Sequence, residues 1–219
     1  MRRVRIWINI ALVLVVAFAL RLWGLHAEPP GFEEVVGLSL AHEGFMAHLN
    51  SPNADLVPPA WLLPLRALLT FGGQLAEARF LALLVGVVTA VLLYVAGRRH
   101  FHRRAAGIGA LLLAMSAPHV FFSQEAQPVA LFGLLTVAAL ILLVRSAEGN
   151  RLVDWLAFDV AAVGMMHCHR NGVFVVLALL IVHVMKPLFF RDPTDVRNTR
   201  PGPVLAKVAM HYGIIIAAS

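Results

Sequence analysis

The sequence predicts an all-α fold: a polytopic transmembrane helical bundle of about six to seven spans, with an interfacial helix in the first outer loop. Hydrophobic residues make up 60% of the 219 residues and charged residues only 14%, whereas soluble domains are about 45–50% apolar and about 25% charged. The basic residues stand in short clusters between apolar runs, as they do at the ends of membrane spans. A water-soluble fold of this length would leave too much apolar surface in water, so the expected solvent is a lipid bilayer.

The first apolar run, Ile6–Trp23, follows a basic N-terminus and is predicted to be an uncleaved transmembrane helix. A cleaved signal peptide has similar flanks, but this run is long and further spans follow it. Residues 24–57 form the predicted first outer loop. Within this loop, Pro29-Pro30-Gly31 precedes Glu33 and Glu34, a pattern typical of a helix start because acids in the first turn suit the helix dipole. The helix would carry one face along the membrane interface, formed by Val35, Leu38, His42, Phe45 and Leu49.

The remaining runs are predicted to alternate across the membrane. Pro58–Phe71 is a short apolar helix, too brief for a clear span. Five predicted spans follow: Ala76–Ala96, Ala105–Phe122, Val129–Val144, Leu152–Met166 and Val173–Met185. A basic turn at 97–104 separates the first two, and a polar hairpin at 123–128 separates the second from the third. Short polar segments separate the others. A polar loop, Lys186–Pro203, leads to a last apolar run that stops at Ser219. We therefore expect residues 1–219 to be a single transmembrane domain that is truncated at its C-terminus.

The charges predict the orientation of the bundle. With the N-terminus in the cytoplasm, the outer segments keep few basic residues, as the positive-inside rule requires; these are Arg21, Arg66, Arg79 and Arg170. The same orientation gathers acids on the outer side, namely Glu28, Glu33, Glu34, Glu43, Asp55, Glu77 and Glu125. The net charge of +6 does not indicate a nucleic-acid partner, because such a protein needs a basic folded face and the basic residues here are spread between membrane spans.

Three motifs lie on this outer side: Glu33-Glu34, Val57-Pro58-Pro59-Ala60-Trp61-Leu62-Leu63 and Ser123-Gln124-Glu125-Ala126-Gln127. In order and spacing they resemble GT-C glycosyltransferases related to protein O-mannosyltransferases and bacterial aminoarabinose transferases. That family shows Asp-Glu in the first outer loop, His-Pro-Pro before the next helix and, in many bacterial members, Ser-Gln-Glu-Ala-Arg at the third position. The segment near His167 is similar to a Thr-His-Tyr helix end of the family. The resemblance covers roughly residues 18–185 and corresponds to the family's N-terminal half.

The resemblance implies transfer of a sugar from a polyprenyl-phosphate donor to a hydroxyl of a lipid, glycan or protein acceptor. The expected place is the outer face of the bacterial inner (plasma) membrane. A carboxylate there would act as a general base on the acceptor hydroxyl, and a cation or an arginine would offset charge on the leaving phosphate. By position, Glu33 matches the family's base and Glu34 the acid that follows it, so both are candidate catalytic residues. The candidate substrate-binding residues are Glu125, Gln127, His167, His169 and Arg170, and a divalent metal cation is a candidate cofactor.

Three departures from the family pattern fall on these motifs. Glu33 stands where the family has Asp, which moves the carboxylate outward by one methylene. Val57 replaces a His that could be a ligand, and Gln127 replaces an Arg that could contact phosphate. The departures leave open that this chain is an incomplete or inactive unit of such an enzyme.

A non-enzymatic membrane protein, either a transporter-like bundle or an assembly partner, is the alternative function. Transporters place polar residues near the membrane midplane, and Asp159 lies in the middle of an apolar run. An ionisable group there is costly, so Asp159 is expected either to be functional or to pair internally with polar residues such as His183. Most of the acids, however, lie at the outer side, which favours the transferase.

Overall fold

The structure, a computed structural model, describes residues 2–43, 50–51, 57–149 and 151–189. In these ranges every regular element is a helix and there is no strand, which confirms the all-α prediction. In chain order the helices are α1 (Arg2–Leu22), α2 (Phe32–Glu43), α3 (Pro59–Thr70), α4 (Leu75–His100), α5 (Arg103–Met115), α6 (Ala117–Phe122), α7 (Val129–Gly149), α8 (Leu152–Met166) and α9 (Gly172–Phe189).

The chain divides into two compact units, Met1–Val137 and Ala138–Ser219. In the first unit, α1, α4 and α5 pack against one another. Small side chains permit this close approach: Ala106, Ala110 and Ala114 recur every fourth residue along α5 and are all buried. A second buried cluster forms where α2 packs on α3, and Trp61, Leu62 and Leu65 of α3 lie at its centre.

Helix α2 confirms the helix predicted after Pro29-Pro30-Gly31. It packs against the protein through Glu34, Gly37, Leu40 and Ala41, while Val35 and His42 of the predicted interfacial face are exposed. Phe45 and Leu49 lie outside the described residues, and the location of α2 at a membrane interface stays a prediction.

The predicted span Ala105–Phe122 is wrong as a single helix, because the chain breaks at Ser116 between α5 and α6. Pro118 causes this break, since proline has no N–H to donate to the carbonyl four residues earlier and its ring crowds that carbonyl. The carbonyl concerned belongs to Ala114, and it accepts a hydrogen bond from Arg21 Nη1 at 3.1 Å instead. The break therefore supplies an acceptor for a buried arginine.

Two other predicted boundaries are corrected. Helix α4 continues through Arg98 and Arg99 to His100, so the predicted basic turn at 97–104 shrinks to Phe101 and His102. Helix α9 extends to Phe189, into the predicted polar loop 186–203. The rest of that loop and the last apolar run lie outside the described residues.

Two helical segments are long and apolar enough to cross a membrane within the described part of the chain, Leu75–Arg99 and Val129–Ala147. Two shorter apolar helical segments, Ile6–Leu22 and Gly172–His183, accompany them. Many large apolar side chains are exposed on the protein surface, including Trp23 and Phe174, and surfaces of this kind are typical of contact with lipid or a partner. The number of spans, about six to seven, stays a prediction.

In the second unit, α8 and α9 pack together. Asp159 and His183 are both buried there, and the His183 ring packs edge-on against Trp155 with 5.5 Å between centroids. The predicted pairing of Asp159 with His183 stays a prediction.

Candidate functional site

Glu34 lies at the centre of a buried ion pair in the first unit. It occupies the first turn of α2, where its Oε2 accepts a hydrogen bond from the Gly31 N–H at 3.0 Å, as a glutamate at the third helical position often does. Arg79, near the start of α4, binds the same carboxylate through two bonds, Nε to Oε1 at 2.9 Å and Nη2 to Oε2 at 2.6 Å. Only 1% of the surface of Glu34 and 5% of that of Arg79 is exposed. This bidentate geometry is the strongest form of carboxylate–arginine pairing.

The remaining donors of Arg79 bind the chain that leaves α1. Nη1 donates to the carbonyls of Leu25 and Glu28, at 3.3 and 3.0 Å, and Nη2 donates to that of Pro29 at 3.4 Å. All three nitrogens of the guanidinium are therefore engaged within the protein. Arg79 holds the loop in place and has no donor left to bind a phosphate.

The same carboxylate fixes the hairpin at 123–128. Glu34 Oε1 accepts the Ala126 N–H at 2.6 Å, and Trp61 Nε1 donates to the Ala126 carbonyl at 3.2 Å. The three motifs singled out in the sequence thus meet at one residue of the hairpin. Val57, from the second motif, is buried against Gly37 of α2, so this position is part of the apolar core.

A second set of polar contacts ties the hairpin to α1. Gln124 Nε2 donates to the carbonyls of Arg21 and Trp23 at 3.0 and 2.7 Å, which are unpaired at the end of a helix. Ser123 Oγ donates to the His119 carbonyl at 2.5 Å.

Arg21 lies beneath this hairpin and is fully buried. Its guanidinium donates to the carbonyls of Ala17 and Ala114 and to His119 Nδ1. Gly86 of α4 allows the close approach, because a Cβ there would overlap Ser123 and lie 2.9 Å from Arg21 Nε.

The ionisation of the two predicted acids, Glu34 and Glu125, is shifted in opposite directions. Burial opposes the charge on Glu34, but hydrogen bonds from Arg79, Ala126 and Gly31 outweigh it and lower the pKa of Glu34 below its usual value. Burial raises the pKa of Glu125, and the negative charges of Glu34 and Glu28 raise it further, against a smaller opposing effect of Arg79. Glu34 therefore stays ionised, whereas Glu125 takes up a proton more readily.

Glu125 lines a crevice together with Glu28, Arg79 and Gln124. The crevice volume is about 50 Å³, which is enough for a water molecule but not for a sugar ring. Glu33, next to the buried Glu34, is exposed on α2, and Gln127 is half-buried at the end of the hairpin. Glu28, Glu34 and Glu125 consequently gather around Arg79 at one end of the first unit, and Glu33 is close enough to Glu125 for its charge to act on that group.

The other predicted site residues lie in the second unit, at the turn between α8 and α9. His167 ends α8, and its Nδ1 donates to the Val163 carbonyl at 3.0 Å. His169 Nδ1 accepts the Asn171 N–H at 3.1 Å, and Arg170 is exposed.

Metal-ligating residues do not form a group of three or more His, Cys, Asp or Glu in the part of the chain that the structure describes. A divalent metal cation as cofactor stays a prediction.

Sequence reasoning missed Arg79, Arg21 and His119 as parts of this site. A signal for the two arginines was present, since each adjoins a long apolar run of its helix, where a charge is costly unless it is paired. Their partners could not be read from sequence, because Glu34 is 45 positions from Arg79 and His119 is 98 positions from Arg21.

A comparison with models of protein families identifies the family of this chain. The model of the dolichyl-phosphate-mannose-protein mannosyltransferase family matches residues 57–210, more than half of the chain. The chain belongs to this family. The match includes the Trp61 motif, the hairpin and the α8–α9 turn, while Glu33 and Glu34 precede it. No curated protein and no solved structure matches the chain.

Membership confirms the resemblance found in the sequence. The chain is a glycosyltransferase-like membrane protein, of a family that in general terms uses a lipid-linked sugar donor and an acceptor. The roles of individual residues in sugar transfer remain predictions.

Proposed function

We propose that this chain transfers a sugar from a polyprenyl-phosphate carrier to an acceptor hydroxyl at the outer face of the membrane. The observation that carries the proposal is the gathering of Glu28, Glu34 and Glu125 around Arg79 at one end of the first unit, with Glu33 close enough to Glu125 to act on its charge. A lipid-linked donor keeps its tail in the bilayer, so its phosphate and sugar meet the protein at such an end. The bacterial inner membrane is the proposed location, with the N-terminus in the cytoplasm.

Glu33 is the proposed general base. Its side chain is exposed, so an acceptor can reach it, whereas both oxygens of Glu34 are occupied by Arg79, Gly31 and Ala126. Glu33 would take the proton from the acceptor hydroxyl, and the hydroxyl oxygen would form a bond to the anomeric carbon of the sugar. The bond from that carbon to the phosphate oxygen would break, and its electron pair would leave with the polyprenyl phosphate.

Glu34 is proposed to position this base rather than to react. Its bonds to Gly31 and Arg79 fix the first turn of α2, and therefore the backbone that carries Glu33. Misplacement of a reacting group by about 1 Å can cost about a hundredfold in rate. Glu125 and Gln127, on the hairpin fixed by the same carboxylate, are proposed to bind substrate. His167, His169 and Arg170 stay candidates for substrate binding.

The test is transfer of radiolabel from polyprenyl-phosphate sugars in membranes that contain wild type, Glu33→Gln or Glu43→Gln. Glu43 is an exposed acid at the other end of α2, so it controls for loss of one charge from the helix. General-base catalysis contributes typically about 10²–10⁴-fold, so Glu33→Gln should lower the transfer rate at least about a hundredfold at equal protein level, and Glu43→Gln should not.

Full activity of Glu33→Gln would refute the assignment of the base. Absence of transfer by the wild type with every polyprenyl-phosphate sugar tested would refute the transferase function of this chain and favour a non-enzymatic membrane protein.

A further inference from the structure

A cavity of about 770 Å³ opens at the other end of α4 from the Arg79 ion pair. Its walls come from the N-terminal part of α1, the last turn of α4 and the start of α5. Only Phe101 and His102 separate α4 from α5, so the arginines before and after this turn face one space. They are Arg98, Arg99, Arg103 and Arg104.

Among the residues that the structure describes, no carboxylate lines this cavity and none of its four arginines is in an ion pair. Arg103 and Arg104, in the first turn of α5, line the cavity, and the N-terminus of a helix carries a positive partial charge. Four guanidinium groups with planar donor forks suit a phosphate group, which offers several acceptor oxygens. The volume lies within the range of about 300–1,000 Å³ that is usual for small-molecule sites.

Apolar side chains share the walls with the arginines. Ile8 and Phe101 are 58% and 69% exposed and both line the cavity. A free phosphate ester would leave this apolar surface in water, whereas a lipid covers it with its glycerol and upper acyl chain. Arg98 and Arg99 also end the apolar segment Leu75–Arg99, at the level where lipid headgroups are expected if that segment spans the membrane.

We propose that this cavity, the arginine cavity, binds the phosphate headgroup of an anionic membrane lipid. The positive-inside rule accounts for arginines in this turn, but it does not require that they line one cavity with apolar walls. The inference does not depend on the proposed transferase activity, because it concerns the opposite end of α4.

The test is lipid binding by the full chain, purified in a neutral detergent and titrated with phosphatidylglycerol or phosphatidylcholine. Native mass spectrometry counts the lipids that stay bound. Each basic residue near an anionic lipid surface contributes about fivefold to affinity, so Arg99→Gln/Arg104→Gln should weaken phosphatidylglycerol binding roughly 25-fold. The matching lysine variant, Arg99→Lys/Arg104→Lys, should retain most of the binding because it keeps both charges.

Arg151→Gln is the control, since Arg151 is an exposed arginine that precedes α8 and does not line the cavity. It should leave phosphatidylglycerol binding unchanged. The affinity of the wild type for phosphatidylcholine should be no higher than the affinity of the glutamine double variant for phosphatidylglycerol. Soluble glycerol phosphate at millimolar concentration should not displace the bound lipid.

Three results would overturn the proposal. Equal phosphatidylglycerol binding by the wild type and the glutamine double variant would show that the arginine cavity is not the site. An equal loss in Arg151→Gln would show that net charge, rather than the cavity, attracts the lipid. Complete displacement of the lipid by glycerol phosphate would show that the cavity recognises a soluble phosphate ester.

Discussion

Replacement of Glu34 by glutamine should destabilise the first unit, whereas the same replacement at Glu33 should not. The Glu34 carboxylate accepts four hydrogen bonds, two on each oxygen. A glutamine amide keeps one oxygen and places an NH₂ group where the other oxygen was. That NH₂ group would face two donors, and Arg79 would lose its only ion-pair partner among the described residues.

The magnitude follows from burial. Both side chains are nearly inaccessible, at 1% and 6% exposure, so solvent does little to screen the loss. Hydrogen bonds to charged groups contribute about 1.5–3 kcal/mol each, and removing one partner of a buried pair costs about 3–5 kcal/mol. Two lost bonds give about 3–6 kcal/mol, which overlaps this range, so we expect a loss of about 3–5 kcal/mol. In a protein of this length, each kcal/mol lowers the melting temperature by about 2–4 °C, which gives a decrease of roughly 6–20 °C.

The assay is thermal unfolding of the purified full chain in detergent, for wild type, Glu34→Gln and Glu33→Gln. Glu33 is exposed, so its replacement should change stability by less than about 0.5 kcal/mol. The lowered pKa of Glu34 adds a pH test: its stabilisation is present above the usual value of 4.5 and is lost as the pH falls through the lower folded value. The wild type should therefore lose stability in acid, and Glu34→Gln should lose less.

Equal melting temperatures of wild type and Glu34→Gln at neutral pH would refute the reasoning, because the ion pair could then contribute little. Equal destabilisation by both variants would show that loss of charge in α2, rather than the buried pair, is responsible.

Three further predictions concern the hairpin and the helices around it. Burial and neighbouring charges raise the pKa of Glu125, so folding favours its protonated form. Glu125→Gln should therefore raise the melting temperature at pH 7, with a gain that shrinks as the pH falls through the raised folded value and is gone below the usual value of 4.5. Gly86→Ala should lower the free energy of unfolding by about 1–3 kcal/mol through overpacking. Gly109→Ala should be neutral or stabilising by up to about 1 kcal/mol, because a Cβ at Gly109 meets nothing within 4 Å. Chemical denaturation of the two variants measures the difference. Trp61→Phe should cost about 1–3 kcal/mol because the buried Ala126 carbonyl loses its donor, and equal stability of this variant would show that the bond does not hold the hairpin.

The helical fold could be predicted because apolar runs and breakers have local causes. The predicted run Leu152–Met166 agrees with α8 at both ends, and the Pro29-Pro30-Gly31 start agrees with α2. Ala105–Phe122 was predicted as one span because composition alone does not show whether a proline breaks a helix or only bends it. The break persists because Arg21 binds the carbonyl that Pro118 leaves unpaired, and this contact joins residues that are far apart in sequence.

The candidate site could be predicted only as a set of motifs. Order and spacing brought Glu33, Glu34 and Glu125 together on one side; in the structure Glu34 and Glu125 lie around Arg79, and Glu33 lies near Glu125. The different environments of the first two acids could not be predicted, because they depend on Arg79 and on the Ala126 N–H. Helical periodicity gives only the angle of about 100° between neighbouring side chains. This angle indicates that Glu33 and Glu34 have different surroundings, but it does not show which of them is buried.

The hairpin at 123–128 is held by groups that the sequence places in apolar helices or loops. Glu34 and Trp61 bind Ala126 from one side, and Gln124 binds the end of α1 from the other. A buried ion pair alone is weak evidence for stability, because desolvation offsets much of its attraction. Its arrangement here indicates specificity, since one carboxylate aligns the first turn of α2, the loop after α1 and the hairpin. An exposed acid on such a scaffold can keep a defined position without being buried, and Glu33 is that acid.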